Sequence, residues 1–82
     1  RRAFDLIQQK MLKGLICTSM NVRNDFIDWR FNDGSYVEIE VLRDLNNDMK
    51  PYAVQAMEFV EHTDQRGTSF YKLVSHDEFD LK

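Results

Sequence analysis

The sequence predicts a small α+β fold: an antiparallel sheet of three to four strands with two helices packed on one face. The expected order is α-β-β-β-α-β, closed by a short C-terminal helical turn. Three observations predict it. Apolar residues recur at helical spacing near the N-terminus, two alternating runs flank Asn32-Asp33-Gly34, and the apolar residues after Pro51 fall on one helical arc. At 82 residues the chain has room for one domain, spanning residues 1–82.

The first helix rests on Phe4, Ile7, Met11 and Leu15, spaced as one helical face, with Leu6 and Leu12 flanking the stripe. Asp5, Gln9, Lys10 and Lys13 point away from it, and Gly14 is a natural C-terminal stop. Residues 15–22 read as a strand with Ile16, Thr18, Met20 and Val22 on one face, and Arg23-Asn24 forms the turn after it.

Residues 26–31 and 35–42 form a hairpin whose register can be worked out from the side chains. A two-residue turn at Asp33-Gly34 would set Trp29 against Glu38 and mix polar with apolar on both faces. A three-residue loop with Gly34 in the left-handed conformation pairs Trp29 with Val37 and Ile27 with Ile39. The opposite face then carries Arg30 with Tyr36 and Asp28 with Glu38.

Asn46-Asn47-Asp48 is turn chemistry, and Pro51 suits the first position of a helix. Tyr52, Ala53, Ala56, Met57, Phe59 and Val60 lie within one arc, which predicts a second helix over residues 53–62. The alternative for that segment is a hairpin with the strand that follows. Residues 63–68 read as a loop and 70–74 as a short strand. Ser75 and Glu78 have capping-box spacing, which predicts a final helical turn through Phe79.

Charge and cysteine content bound the function. The net charge is −3, but residues 1–30 carry six basic side chains against three acidic ones. Residues 31–82 reverse the sign, with five basic against eleven acidic. The single cysteine, Cys17, excludes an intrachain disulfide and fits a cytoplasmic, reducing setting. Its apolar neighbours predict a buried thiol. No apolar run is long enough to span a bilayer, so no membrane partner is expected. A start at Arg1-Arg2 suggests a trimmed chain or a fragment.

Catalytic signatures are missing from the pattern. The three glycines form no phosphate-binding loop, and His62 and His76 have no Cys or His at metal-ligand spacing. Asp33, Glu38 and Glu40 make a nuclease-like acidic set, but Val41 and Leu42 stand where such a site needs its lysine. No cofactor is expected. The first functional reading is a non-catalytic protein-interaction or inhibitor module, with Tyr36, Tyr71 and Phe79 as exposed anchors. Its partner would be another protein, or a second copy joined through a sheet edge. The second reading is a nucleic-acid-binding accessory domain using the basic N-terminal helix, through Arg2, Lys10, Lys13 and Arg23. The third is a metal-dependent enzyme whose acidic hairpin face, Asp28, Glu38 and Glu40, supplies oxygen ligands.

Overall fold

The computed structural model describes residues 5–81 in full and Phe4 by its backbone. Helix α1 (Phe4–Leu12) leads into β1 (Cys17–Arg23), β2 (Phe26–Phe31), β3 (Tyr36–Asp44), β4 (Lys50–Thr63) and β5 (Ser69–Asp80). All neighbours pair antiparallel, and the strand order β1-β2-β3-β4-β5 follows the chain order.

The expected α+β arrangement is overturned, because the described residues form one helix and a five-stranded sheet. The second helix is replaced by β4. Val54 and Ala56 lie opposite Val41 and Ile39, on the face that α1 covers. Met57 and Phe59 lie opposite Glu38 and Tyr36, on the other face. A strand with apolar residues on both faces loses its period-two alternation, and such a run can imitate a helical arc. Pro51 pairs with Arg43 beside a register irregularity, where its missing N–H is tolerated. The expected C-terminal helical turn is likewise strand. β5 runs to Asp80, and the Ser75 hydroxyl donates to Glu58 Oε1 at 3.2 Å instead of capping a helix.

The β2–β3 hairpin has the register read from the sequence. Ile27 pairs with Ile39, Asp28 with Glu38, Trp29 with Val37 and Arg30 with Tyr36. Gly34 sits at φ 85° and donates to the Phe31 carbonyl at 3.1 Å. Left-handed backbone is costly for a residue with Cβ, so this loop needs its glycine.

Gly14, at φ 79°, ends α1 as expected. Its N–H donates to the Met11 carbonyl at 3.0 Å, and Leu15 N–H reaches back to the Lys10 carbonyl at 3.1 Å. These two bonds make a Schellman stop. The helix packs differently from its predicted stripe. Leu6 and Lys10 are buried, whereas Met11 remains 67% exposed.

The inner face of the sheet and α1 together form the core. Leu6, Phe31, Val37 and Ala56 are buried, with Ile7, Leu15, Trp29 and Ile39 packed around them. Burial of a side chain such as Val37 contributes about 1.5–3 kcal/mol. Lys10 enters this core because partners meet it there. Its ammonium pairs with Glu58, donates to Ser35 Oγ at 2.9 Å, and lies 5.7 Å from the centre of the Phe31 ring. The Ser35 hydroxyl in turn donates to Asp33 at 2.5 Å. An unpaired ammonium at this depth would cost several kcal/mol, so the network fixes where α1 sits on the sheet.

Candidate functional site

A meander leaves two sheet edges, and here they differ in chemistry. β5 has several of the features that keep an edge strand from pairing. It carries Lys72, Asp77, Glu78 and Asp80, and its register breaks opposite Glu58 and Phe59. Asp77 points to the inner face opposite Ala56, and one of its carboxylate oxygens is buried without a hydrogen-bond partner. β1 has fewer: its register is irregular between Cys17 and Ser19 and regular from there to Arg23. All seven of its residues are exposed, and residues 17–22 carry no charge and no proline. Met20 is 58% exposed and Val22 64%, both on the inner face opposite Trp29 and Ile27.

An apolar groove of about 330 Å³ adjoins this edge. α1 contributes Ile7 and Met11, β1 contributes Cys17 and Met20, and β2 contributes Trp29 and Phe31. The groove exists because α1 packs over the middle of the sheet through Leu6 and Lys10, which leaves the β1 margin uncovered. Cys17, expected to be buried, is exposed there, and its thiol donates to the Ser19 carbonyl at 3.3 Å.

The outer face gathers two of the three predicted anchors. Tyr36 stacks on Phe59 with ring centres 4.9 Å apart and meets Tyr71 edge-on at the same distance. The Arg30 guanidinium lies 4.9 Å from the Tyr36 ring centre and donates to the Tyr71 hydroxyl at 2.7 Å. The Tyr36 hydroxyl donates to Glu38 at 2.7 Å. Burial, and then the bond to Glu38, push the Tyr36 phenol up to about 12. Phe79 is not part of this group. It is half-buried in β5 opposite Val54, on the inner face.

The basic candidates are dispersed. Lys10 is held in the core by Glu58, Lys13 is exposed just beyond α1, and Arg23 closes β1 beside the Asn24-Asp25 turn. Arg2 lies outside the described residues. The acidic candidates share the outer face, but each takes a neutral donor. Asn21 donates to Asp28 at 3.0 Å, Tyr36 to Glu38 at 2.7 Å and Gln55 to Glu40 at 2.7 Å. Among the described residues no three His, Cys, Asp or Glu side chains converge as a metal would require. His76 shares a hydrogen bond with Gln55 at 3.1 Å, and His62 leans on the Phe70 ring.

Sequence reasoning missed Met11, Met20, Val22 and Trp29 as a group. The signal available was residues 14–22, the longest stretch of the chain without a charge. Among the described residues no helix is long and apolar enough to cross a membrane. The chain matches no protein-family profile, no curated protein and no solved structure.

Proposed function

We propose that this chain is a protein-interaction module that takes up an extended polypeptide segment along β1. The observation that carries the reading is the contrast in charge between the two edges: β5 carries Lys72, Asp77, Glu78 and Asp80, while β1 is uncharged and exposed from residue 17 to 22. The partner's backbone would continue the sheet, and an apolar side chain on its inner-facing side would enter the groove beside Met20 and Trp29. Inhibition of an enzyme by occupying its own edge strand is one form such binding takes. The nucleic-acid reading has less support, because Lys10 is engaged with Glu58 and Lys13 and Arg23 flank opposite ends of β1.

The test is capture from host lysate on the tagged chain, in nuclease-treated and untreated halves, beside the Met20→Lys variant. Met20 is mostly exposed, so lysine there leaves the core intact. A discrete protein retained by the natural chain in both halves and lost with Met20→Lys supports the reading. Retention of nucleic acid, indifferent to Met20→Lys, overturns it in favour of the basic surface.

A further inference from the structure

Building on that reading, we infer that the segment taken up by β1 is the β1 strand of a second copy. The two strands pair antiparallel about a two-fold axis at Asn21.

The backbone sets which residues can pair outward. Phe31 N–H donates to the Ser35 carbonyl at 2.9 Å, so Phe31 directs its main-chain groups toward β3. The Thr18 hydroxyl donates to the Arg30 carbonyl at 3.3 Å, so Arg30 directs its own toward β1. Main-chain direction alternates along an antiparallel strand. Ser19 and Asn21, opposite Arg30 and Asp28, therefore bond to β2, and Met20 and Val22 present N–H and C=O to the outside.

A two-fold axis at Asn21 places Met20 opposite Val22 of the second copy, and Val22 opposite its Met20. Both pairs are hydrogen-bonded, and both lie on the inner face beside the groove. Asn21 faces Asn21 on the outer face, and Ser19 faces Arg23. No charge stands opposite a like charge, which is the condition for an edge to accept its own copy. An axis at Met20 would instead recruit Thr18, which stands in the register irregularity between Cys17 and Ser19.

The charge map favours the same edge. The acidic surplus lies in residues 31–82, which hold β3, β4 and β5, so pairing through β1 keeps the two acidic parts apart. Pairing β5 with β5 about an axis near Glu78 would set Asp77, Glu78 and Asp80 of both copies against one another. A β1-to-β5 contact is head-to-tail, and it does not close at two copies.

The experiment has two arms. In the first, sedimentation equilibrium compares the natural chain with Met20→Lys and Val22→Glu. The expected result is a concentration-dependent dimer, with the dissociation constant raised at least about tenfold in both variants, since each buries a charge at the seam. In the second, Asn21→Cys in a Cys17→Ser background is oxidised mildly. Residues opposed at a non-hydrogen-bonded site lie about 4.5 Å apart at Cα, within disulfide reach. Met20→Cys in the same background sits diagonal to its copy at about 7–8 Å, so the expected result is a covalent dimer from Asn21→Cys and little from Met20→Cys. A monomer at every concentration overturns the inference, and the edge reading survives if Met20→Lys still loses a captured protein. A dimer indifferent to Met20→Lys and Val22→Glu overturns it too, as does equal cross-linking at 20 and 21.

Discussion

Arg43 holds Asp25 with two prongs: Nε donates to Oδ2 at 2.8 Å and Nη2 to Oδ1 at 2.9 Å. Its remaining arm, Nη1, donates to the Met49 carbonyl at 3.0 Å. One side chain from β3 thereby ties the β1–β2 turn to the β3–β4 turn.

The Arg43 hydrogen bonds hold the Asp25 carboxyl below its ordinary value, and Asp25 in turn raises Arg43. A lowered carboxyl stabilises the fold above its unfolded pKa, and the contribution is lost as pH falls through the folded value. Asn tolerates the φ of 62° found at position 25, so Asp25→Asn removes the charge and one of the two acceptor oxygens without straining the turn. In melting temperatures measured from pH 7 to pH 2, the natural chain is more stable than the variant at neutral pH. The gap closes below about pH 4 and shrinks with salt.

Lys10 and Glu58 test the buried network. Glu58→Ala strands the ammonium in the core and is expected to cost about 3 kcal/mol in denaturant unfolding. The double variant Lys10→Met/Glu58→Leu removes both charges and is expected to cost less than Glu58→Ala alone. A double variant that costs as much as Glu58→Ala or more would show that the stranded ammonium is not the source of the loss.

Asp48 and Met49 both adopt left-handed backbone, at φ 54° and 57°. Methionine has no short polar group to ease that conformation, which costs about 1–2 kcal/mol in a residue bearing Cβ. Glycine there relieves the strain but loosens the unfolded chain. Met49→Gly is expected to stabilise by about 0.5–1 kcal/mol, read from the denaturation midpoint at constant slope.

Tyr36, pushed up to about 12 by burial and by its bond to Glu38, gives a signature at the alkaline end. A phenol whose folded pKa is raised stabilises the fold below about pH 10, and the contribution is lost as pH rises toward 12. Tyr36→Phe is expected to remove the latest part of the phenolate absorbance rise. It should also cost about 1 kcal/mol at neutral pH for the lost hydrogen bond.

The parts of the fold legible in the sequence are those set by short-range geometry. Gly14 stops α1, and Gly34 with the alternation Ile27/Trp29 against Val37/Ile39 fixes a register that one residue of slip would invert. β4 was legible only as the alternative, a hairpin with the strand that follows, because its apolar residues serve two faces and its Pro51 sits where the ladder is irregular. Lys10 was not legible, since Glu58, 48 positions later in the sequence, supplies the charge that draws it inward. Of the binding candidates, Tyr36 and Tyr71 meet because Arg30 reaches from β2 to both rings, while Phe79 falls on the opposite face. The β1 edge escaped notice because edges belong to topology, and a strand read alone does not say which neighbour it lacks.

The strand order that matches the chain order also governs how the molecule assembles. Each hairpin closes over a short connection, from the Asn24-Asp25 turn to the five residues 45–49, so each pairing step carries little loop-closure entropy. The sheet can grow hairpin by hairpin without a long-range search, which places it among the faster antiparallel folds. α1 is the exception. Its anchor on Glu58 becomes available only once β4 is in place, so the helix that precedes every strand in the chain finds its seat only after the fourth strand has joined.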